Sequence, residues 1–96
     1  MLERDIEKYL VTRVKLVGGE VRKVKWIGRR GAPDRLVMLP ASELCSEATI
    51  WVELKAPGLS AKAYQSREHD RMRGMGQRVV VIASIAGVDN LMRGRE

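Results

Sequence analysis

Apolar residues open the chain at helical spacing: Ile6, Leu10, Val14 and Val17, with Glu3, Glu7, Lys8 and Lys15 between them. That period buries one face of a helix and wets the other, so residues 3–17 are predicted as an amphipathic helix. Gly18 and Gly19 stop it, as glycine does at a helix C-terminus. From residue 20 to 27 the period shortens. Val21, Val24 and Trp26 alternate imperfectly with Arg22, Lys23 and Lys25, which predicts a strand. Gly28 to Asp34 (GRRGAPD) is rich in turn formers, with Pro33 holding Ala32 extended. Residues 35–39 (RLVML) form a second predicted strand, 40–48 a connecting loop, and 50–55 (IWVELK) the strongest strand signal of all. After Ala56-Pro57-Gly58, residues 61–75 are predicted as a helix with Ser60 as N-cap and Gly76 as terminator. The β-branched run 78–83 (RVVVIA) predicts a strand buried on both faces, and residues 88–92 a short closing helix. The order is αβββαβα. A helix between the third and fourth strands implies a crossover, so those two run parallel in a mixed central sheet flanked by helices. The fold class is α/β.

Composition narrows the picture. Ninety-six residues make one domain, 1–96, and 45% hydrophobic content supports a packed core rather than a disordered chain. Phenylalanine is absent and the aromatics are Tyr9, Trp26, Trp51 and Tyr64, so aliphatic residues and Met must fill the interior. The lone cysteine, Cys45, cannot form an internal disulfide, and reads as a loop residue or small hydrophobe. With His69 as the only histidine, a His/Cys zinc site and a multi-histidine catalytic set are both excluded. No apolar run approaches the roughly 18 residues of a membrane span, and the charged start MLERDIEKYL does not resemble a signal peptide. The expected location is the cytoplasm.

Charge then suggests a partner. The net charge is +6, and six cations (Arg22, Lys23, Lys25, Arg29, Arg30, Arg35) fall within a short stretch that contains one acid, Asp34. Arg67, Arg71, Arg73 and Arg78 form a second group. Such clusters suit a polyanion, although a merely solvated face has the same appearance in sequence.

The chemistry concentrates in the third strand. In IWVELK the side chains of Ile50, Val52 and Leu54 point one way and those of Trp51, Glu53 and Lys55 the other. Charged residues inside an apolar strand are costly and need a reason. Asp34 stands at the mouth of a strand expected to pair antiparallel with this one, which would bring it near Glu53. Two carboxylates with the Leu54 carbonyl make a hard oxygen cluster of the kind Mg²⁺ prefers, and an ammonium beside it can hold a water and steady phosphate charge. Spacing alone leaves a plain Asp/Glu/Lys salt-bridge set equally open.

GAPDR (31–35) ahead of VELKAP (52–57) resembles the PD-(D/E)xK nuclease superfamily, and within it the short stand-alone VRR-NUC form found in phages and bacteria. The resemblance covers nearly the whole chain: Gly18-Gly19, Lys23, GRRGAPDR, VELKAP, Gln65, Glu68-His69 and Gly76 fall in the family's order. It implies a restriction-endonuclease-like core. Asp34, Glu53 and the Leu54 carbonyl would then hold Mg²⁺ or Mn²⁺, Lys55 would be the catalytic lysine, and Gln65 would support the site. An acidic residue on the first helix is also implied. Glu3 and Glu7 both qualify, with the local pattern E-x-x-I favouring Glu3. Lys23, Arg29, Arg30 and Arg35 around the aspartate, and Arg67 and Arg71 on the later helix, are the implied DNA contacts. His69 lies one turn beyond Gln65, where a role near the site and an ordinary core position are equally open.

The resemblance also implies a metal-dependent endonuclease acting on structured DNA, with stand-alone members suggesting four-way junction resolution by a homodimer. Flap or nicked DNA is the alternative substrate, and a non-cleaving nucleic-acid-binding module the alternative class. The bacterial cytoplasm, with a phage-encoded origin, is the matching setting.

Overall fold

A computed structural model describes residues 1–41 and 48–95. The elements are α1 (Glu3–Leu16), β1 (Glu20–Lys23), β2 (Arg35–Leu39), β3 (Ala48–Leu54), α2 (Ala63–Gly74), β4 (Val79–Ile82) and α3 (Ile85–Met92). The order αβββαβα is as expected. Four strands form one sheet in the order β1-β2-β3-β4, antiparallel except for the β3–β4 pair, which is parallel because α2 carries the chain across between them.

Alternation along β3 decides which layer lies on which face. Ile50, Val52 and Leu54 are buried in one cluster with Ile6, Leu10 and Val14 of α1 and Val88, Leu91 and Met92 of α3. Full burial of each such side chain contributes about 1.5–3 kcal/mol, and this aliphatic layer is the core. Trp51 and Glu53 face the opposite side, where α2 packs through Glu68, His69 and Met72.

Several boundaries differ from the sequence reading. β1 ends at Lys23 rather than at 27. The Val24 amide still bonds the Asp34 carbonyl at 2.9 Å, but the Trp26 indole then donates to the Pro33 carbonyl at 2.8 Å, folding the segment onto the GAPD loop. α2 begins at Ala63, so Ser60 is not its cap. The Gln65 side chain instead accepts the Lys62 backbone N–H at 2.8 Å, satisfying a helix-end donor. β4 is not buried on both faces: it is an edge strand, and Val81 is 38% exposed. α3 starts three residues earlier than expected, capped by the Ser84 hydroxyl on the Gly87 N–H. β3 starts at Ala48, at the end of the expected loop 40–48; most of that loop, with Cys45, lies outside the described residues. Among the described residues no helix is long and apolar enough to cross a membrane.

Candidate active site

The site lies where the β2–β3 register runs out. Arg35 is paired with Val52. One antiparallel step further sets Asp34 opposite Glu53, and the Asp34 carboxylate is close enough to act on the charge of Glu53. Asp34 is 58% exposed and ion-paired to Arg35 at 2.9 Å, so it is not an unbalanced charge. Glu53 is 12% exposed. Burial raises its pKa above the ordinary carboxylate value; Asp34 and Glu3 push the same way, while Lys55 and Arg35 oppose them. A carboxylate so placed gains from a nearby cation. Lys55 follows on the same face, roughly 7 Å along the chain. Its backbone N–H is fixed to the Ile82 carbonyl at 2.9 Å.

The backbone supplies a further oxygen. Trp51 and Lys55 direct their amides to β4 at 2.9 Å each, so by strand alternation the Leu54 carbonyl faces the β2 side. Its partner there, by continued register, would be Pro33, which has no N–H to give. The proline of the GAPD string therefore frees the carbonyl beside the two carboxylates.

The two candidate acids of α1, Glu3 and Glu7, take different parts. Glu7 is held by Arg35, which is 15% exposed and grips Asp34 as well. Glu3 acts electrostatically on Glu53.

α2 supports this corner with polar groups at positions where a core helix would carry apolar ones. His69 is 1% exposed. One ring nitrogen bonds the Gly31 backbone, and Nε2 lies 3.7 Å from Glu53 Oε1 with no hydrogen-bond partner among the described residues. Burial, and then the charge of Arg73, hold the imidazole pKa below its ordinary value, which favours the neutral ring. In the neutral ring, an N–H spent on the Gly31 backbone would leave the Nε2 lone pair facing the Glu53 carboxylate. Two acceptors face to face call for a proton donor or a cation between them. Glu68, 7% exposed, receives two hydrogen bonds from Arg29 at 2.8 and 2.9 Å, and Arg71 approaches it at 3.5 Å. Arg30 stacks over the Tyr64 ring at 4.0 Å. Gly31 must be glycine for two reasons: its φ is +86°, and an added Cβ would lie 2.9 Å from the Tyr64 carbonyl.

Register places Asp34 and Glu53 opposite each other with the Leu54 carbonyl and Lys55 alongside, and Glu3 is near enough to act on the Glu53 charge; among the described residues no three His, Cys, Asp or Glu side chains form a group that could hold a metal. Gln65 lies with its backbone against Gly31, while its side-chain oxygen caps α2. Lys23, Arg67 and Arg71 are exposed, and Arg29 and Arg30 edge the loop. The sequence reading left His69 open and missed Glu68 as the anchor of Arg29. The signal was an absence: helix 63–74 has almost no apolar stripe, so polar residues had to make its inward face.

No family model matches the chain. A protein of Acyrthosiphon pisum secondary endosymbiont phage 1, described as "Putative nuclease p44", is 46% identical over 82 residues, or 85% of this chain and 83% of its own. A solved structure of a VRR_NUC domain superposes with a TM-score of 0.82 at 37% identity, covering 98% of this chain and 97% of that one. Sequence likeness spans 85% of the chain and three-dimensional likeness 98% of it. The chain belongs to the VRR-NUC family and is a nuclease.

Proposed function

We propose that the protein is an endonuclease that hydrolyses phosphodiester bonds in structured DNA with the help of Mg²⁺ or Mn²⁺. The observation that carries this reading is the strand register, which sets half-buried Glu53 opposite Asp34 with Lys55 two residues on along the same face. Asp34, Glu53 and the Leu54 carbonyl would hold the cation, with Glu3 as a further acid nearby. Among the described residues no three His, Cys, Asp or Glu side chains form a group that could hold a metal, so in this reading the protein ligands would be two carboxylates and a carbonyl, with water and substrate phosphate oxygens completing the set. Bound there, the cation would supply a Lewis acid for the phosphoryl oxygens. The Lys55 ammonium positions the attacking water and steadies charge on the phosphate. Gln65 supports the site from the start of α2.

Lys23, Arg29, Arg30, Arg67 and Arg71 contact DNA phosphates in this reading. Arg35, the further implied DNA contact, is held by Glu7 and Asp34 and braces Asp34 in this reading. The substrate is four-way junction DNA, cut by a homodimer whose two-fold axis presents two equivalent sites. The open β4 edge, with Val81 exposed, is a surface that a second copy would cover.

The test is to incubate the protein with four-way, flap, nicked and linear DNA, with and without Mg²⁺. Cutting of four-way junctions only with the metal is expected. Preference for flap or nicked DNA would move the substrate and keep the chemistry, whereas equal cutting in EDTA would overturn the metal reading.

A further inference from the structure

Both tryptophans lie outside the aliphatic core. In a chain without phenylalanine, the two largest apolar side chains would stabilise most if packed inside, so their placement calls for another account. Their rings meet at 5.2 Å and 48°, half-buried, over a groove of about 510 Å³ edged by Arg29, Arg71, Met75 and Gln77. Each indole N–H is already taken, Trp26 by the Pro33 carbonyl and Trp51 by Gln77 Oε1 at 3.1 Å. What remains on offer is ring surface. The rim is cationic, because Arg29 and Arg71 share a single acid, Glu68. Met75 is 66% exposed at the edge. The groove is also continuous with the candidate site: Trp51 stands two residues before Glu53 on the same face, roughly 7 Å away. Trp26 hangs from the proline next to Asp34.

We propose that this groove receives an unpaired nucleobase of the substrate, stacked on Trp26 and Trp51, with Arg29 and Arg71 on the flanking phosphates. Fixed ring faces next to guanidinium groups are what sequence-tolerant base stacking requires. A groove of this size holds one base comfortably. The inference rests on the nuclease reading and adds to it that a base must leave the duplex near the cut.

The two tryptophans are the only ones in the chain, so intrinsic fluorescence reports on the groove directly. The wild-type protein in EDTA, where the proposed cutting is silent, is titrated with an oligodeoxyadenylate strand, the same strand made abasic, and a blunt duplex. Anisotropy of labelled DNA records binding in parallel. We expect quenching by the adenylate strand and little by the abasic strand or the duplex, although both bind. Trp26→Leu, checked for folding by its melting curve, should weaken the adenylate strand about five- to a hundredfold and the abasic strand little. Binding of all three DNAs without any fluorescence change would overturn the base groove and leave the nuclease reading intact. Fluorescence that shifts on protein dilution, but not on adding DNA, would assign the groove to a second copy and likewise overturn it. Failure of the nuclease reading looks different: no DNA binds, and none is cut in Mg²⁺.

Discussion

His69 turns toward Glu53, 3.7 Å away, an Nε2 that has no hydrogen-bond partner among the described residues, while its other ring nitrogen is tied to the Gly31 backbone. One side chain thereby links the ExK strand to the loop that carries Asp34. The two nitrogens can be tested separately. His69→Asn keeps a donor near the position of the Gly31 bond and loses Nε2; His69→Ala loses both. Asparagine should preserve most of the stability while cleavage falls roughly ten- to a hundredfold, the usual result of a misplaced site. Alanine should also cost about 1–3 kcal/mol of stability, since the Gly31 carbonyl is left unpaired. Melting curves beside cleavage rates measure both, and equal cleavage by Asn and wild type would make His69 a core residue only.

The Arg29–Glu68 pair sets an acid limit. Arg29, through its hydrogen bonds, holds the Glu68 carboxyl below its ordinary value. A depressed folded pKa contributes stability above the unfolded carboxylate value, about 4.3, and that stability is lost as the pH falls through the folded value. Glu68→Gln should therefore flatten the fall in melting temperature in the acid range and change nothing in its shape near neutrality. Asp89, held low by Tyr9 and Arg13, keeps part of the acid dependence. An unchanged acid profile would show that Arg29 leaves Glu68 in solution.

Gly31→Ala should destabilise the fold by about 1–2 kcal/mol from its positive φ alone, and more from the close Tyr64 carbonyl. The loop holding Asp34 would shift with it, so cleavage should fall further than stability explains. Gly58, also at positive φ but with nothing near its Cβ, is the control: alanine there should cost stability only. Unimpaired cleavage by Gly31→Ala would mean that the loop's seat on α2 does not set the site.

Glu53 should be a burden to the metal-free protein. Its raised folded pKa means that stability is fully present below the unfolded value and is lost as the pH rises through the folded one. At neutral pH in EDTA, Glu53→Gln should melt at or above wild type. Mn²⁺ should raise the wild-type melting temperature by mass action and leave the variant nearly unmoved. A variant that melts well below wild type in EDTA would instead make Glu53 a structural salt-bridge partner.

The sequence made the sheet and the catalytic string legible because both depend on short-range pattern. RLVML matched β2 residue for residue, and the alternation in IWVELK placed Glu53 and Lys55 on the face opposite the core. Edges were harder. Nothing local distinguishes VVVI in a central strand from the same run at a sheet edge, so Val81 came out exposed against expectation. Pairings across the fold were not legible at all. The ion pair that α1 brings to Arg35 through Glu7 has no local signal, and Trp26 looked like strand until its indole found Pro33.

The central claim is that Lys55, beside Asp34 and Glu53, performs metal-assisted cleavage. It is tested most directly by measuring single-turnover cleavage and DNA affinity of Lys55→Ala against wild type in Mg²⁺. The account expects the rate to fall roughly a hundred- to ten-thousandfold with affinity changed little, because the ammonium acts on the reacting groups rather than on the bound duplex. Cleavage at the wild-type rate, or a loss of rate matched by an equal loss of binding, would contradict it.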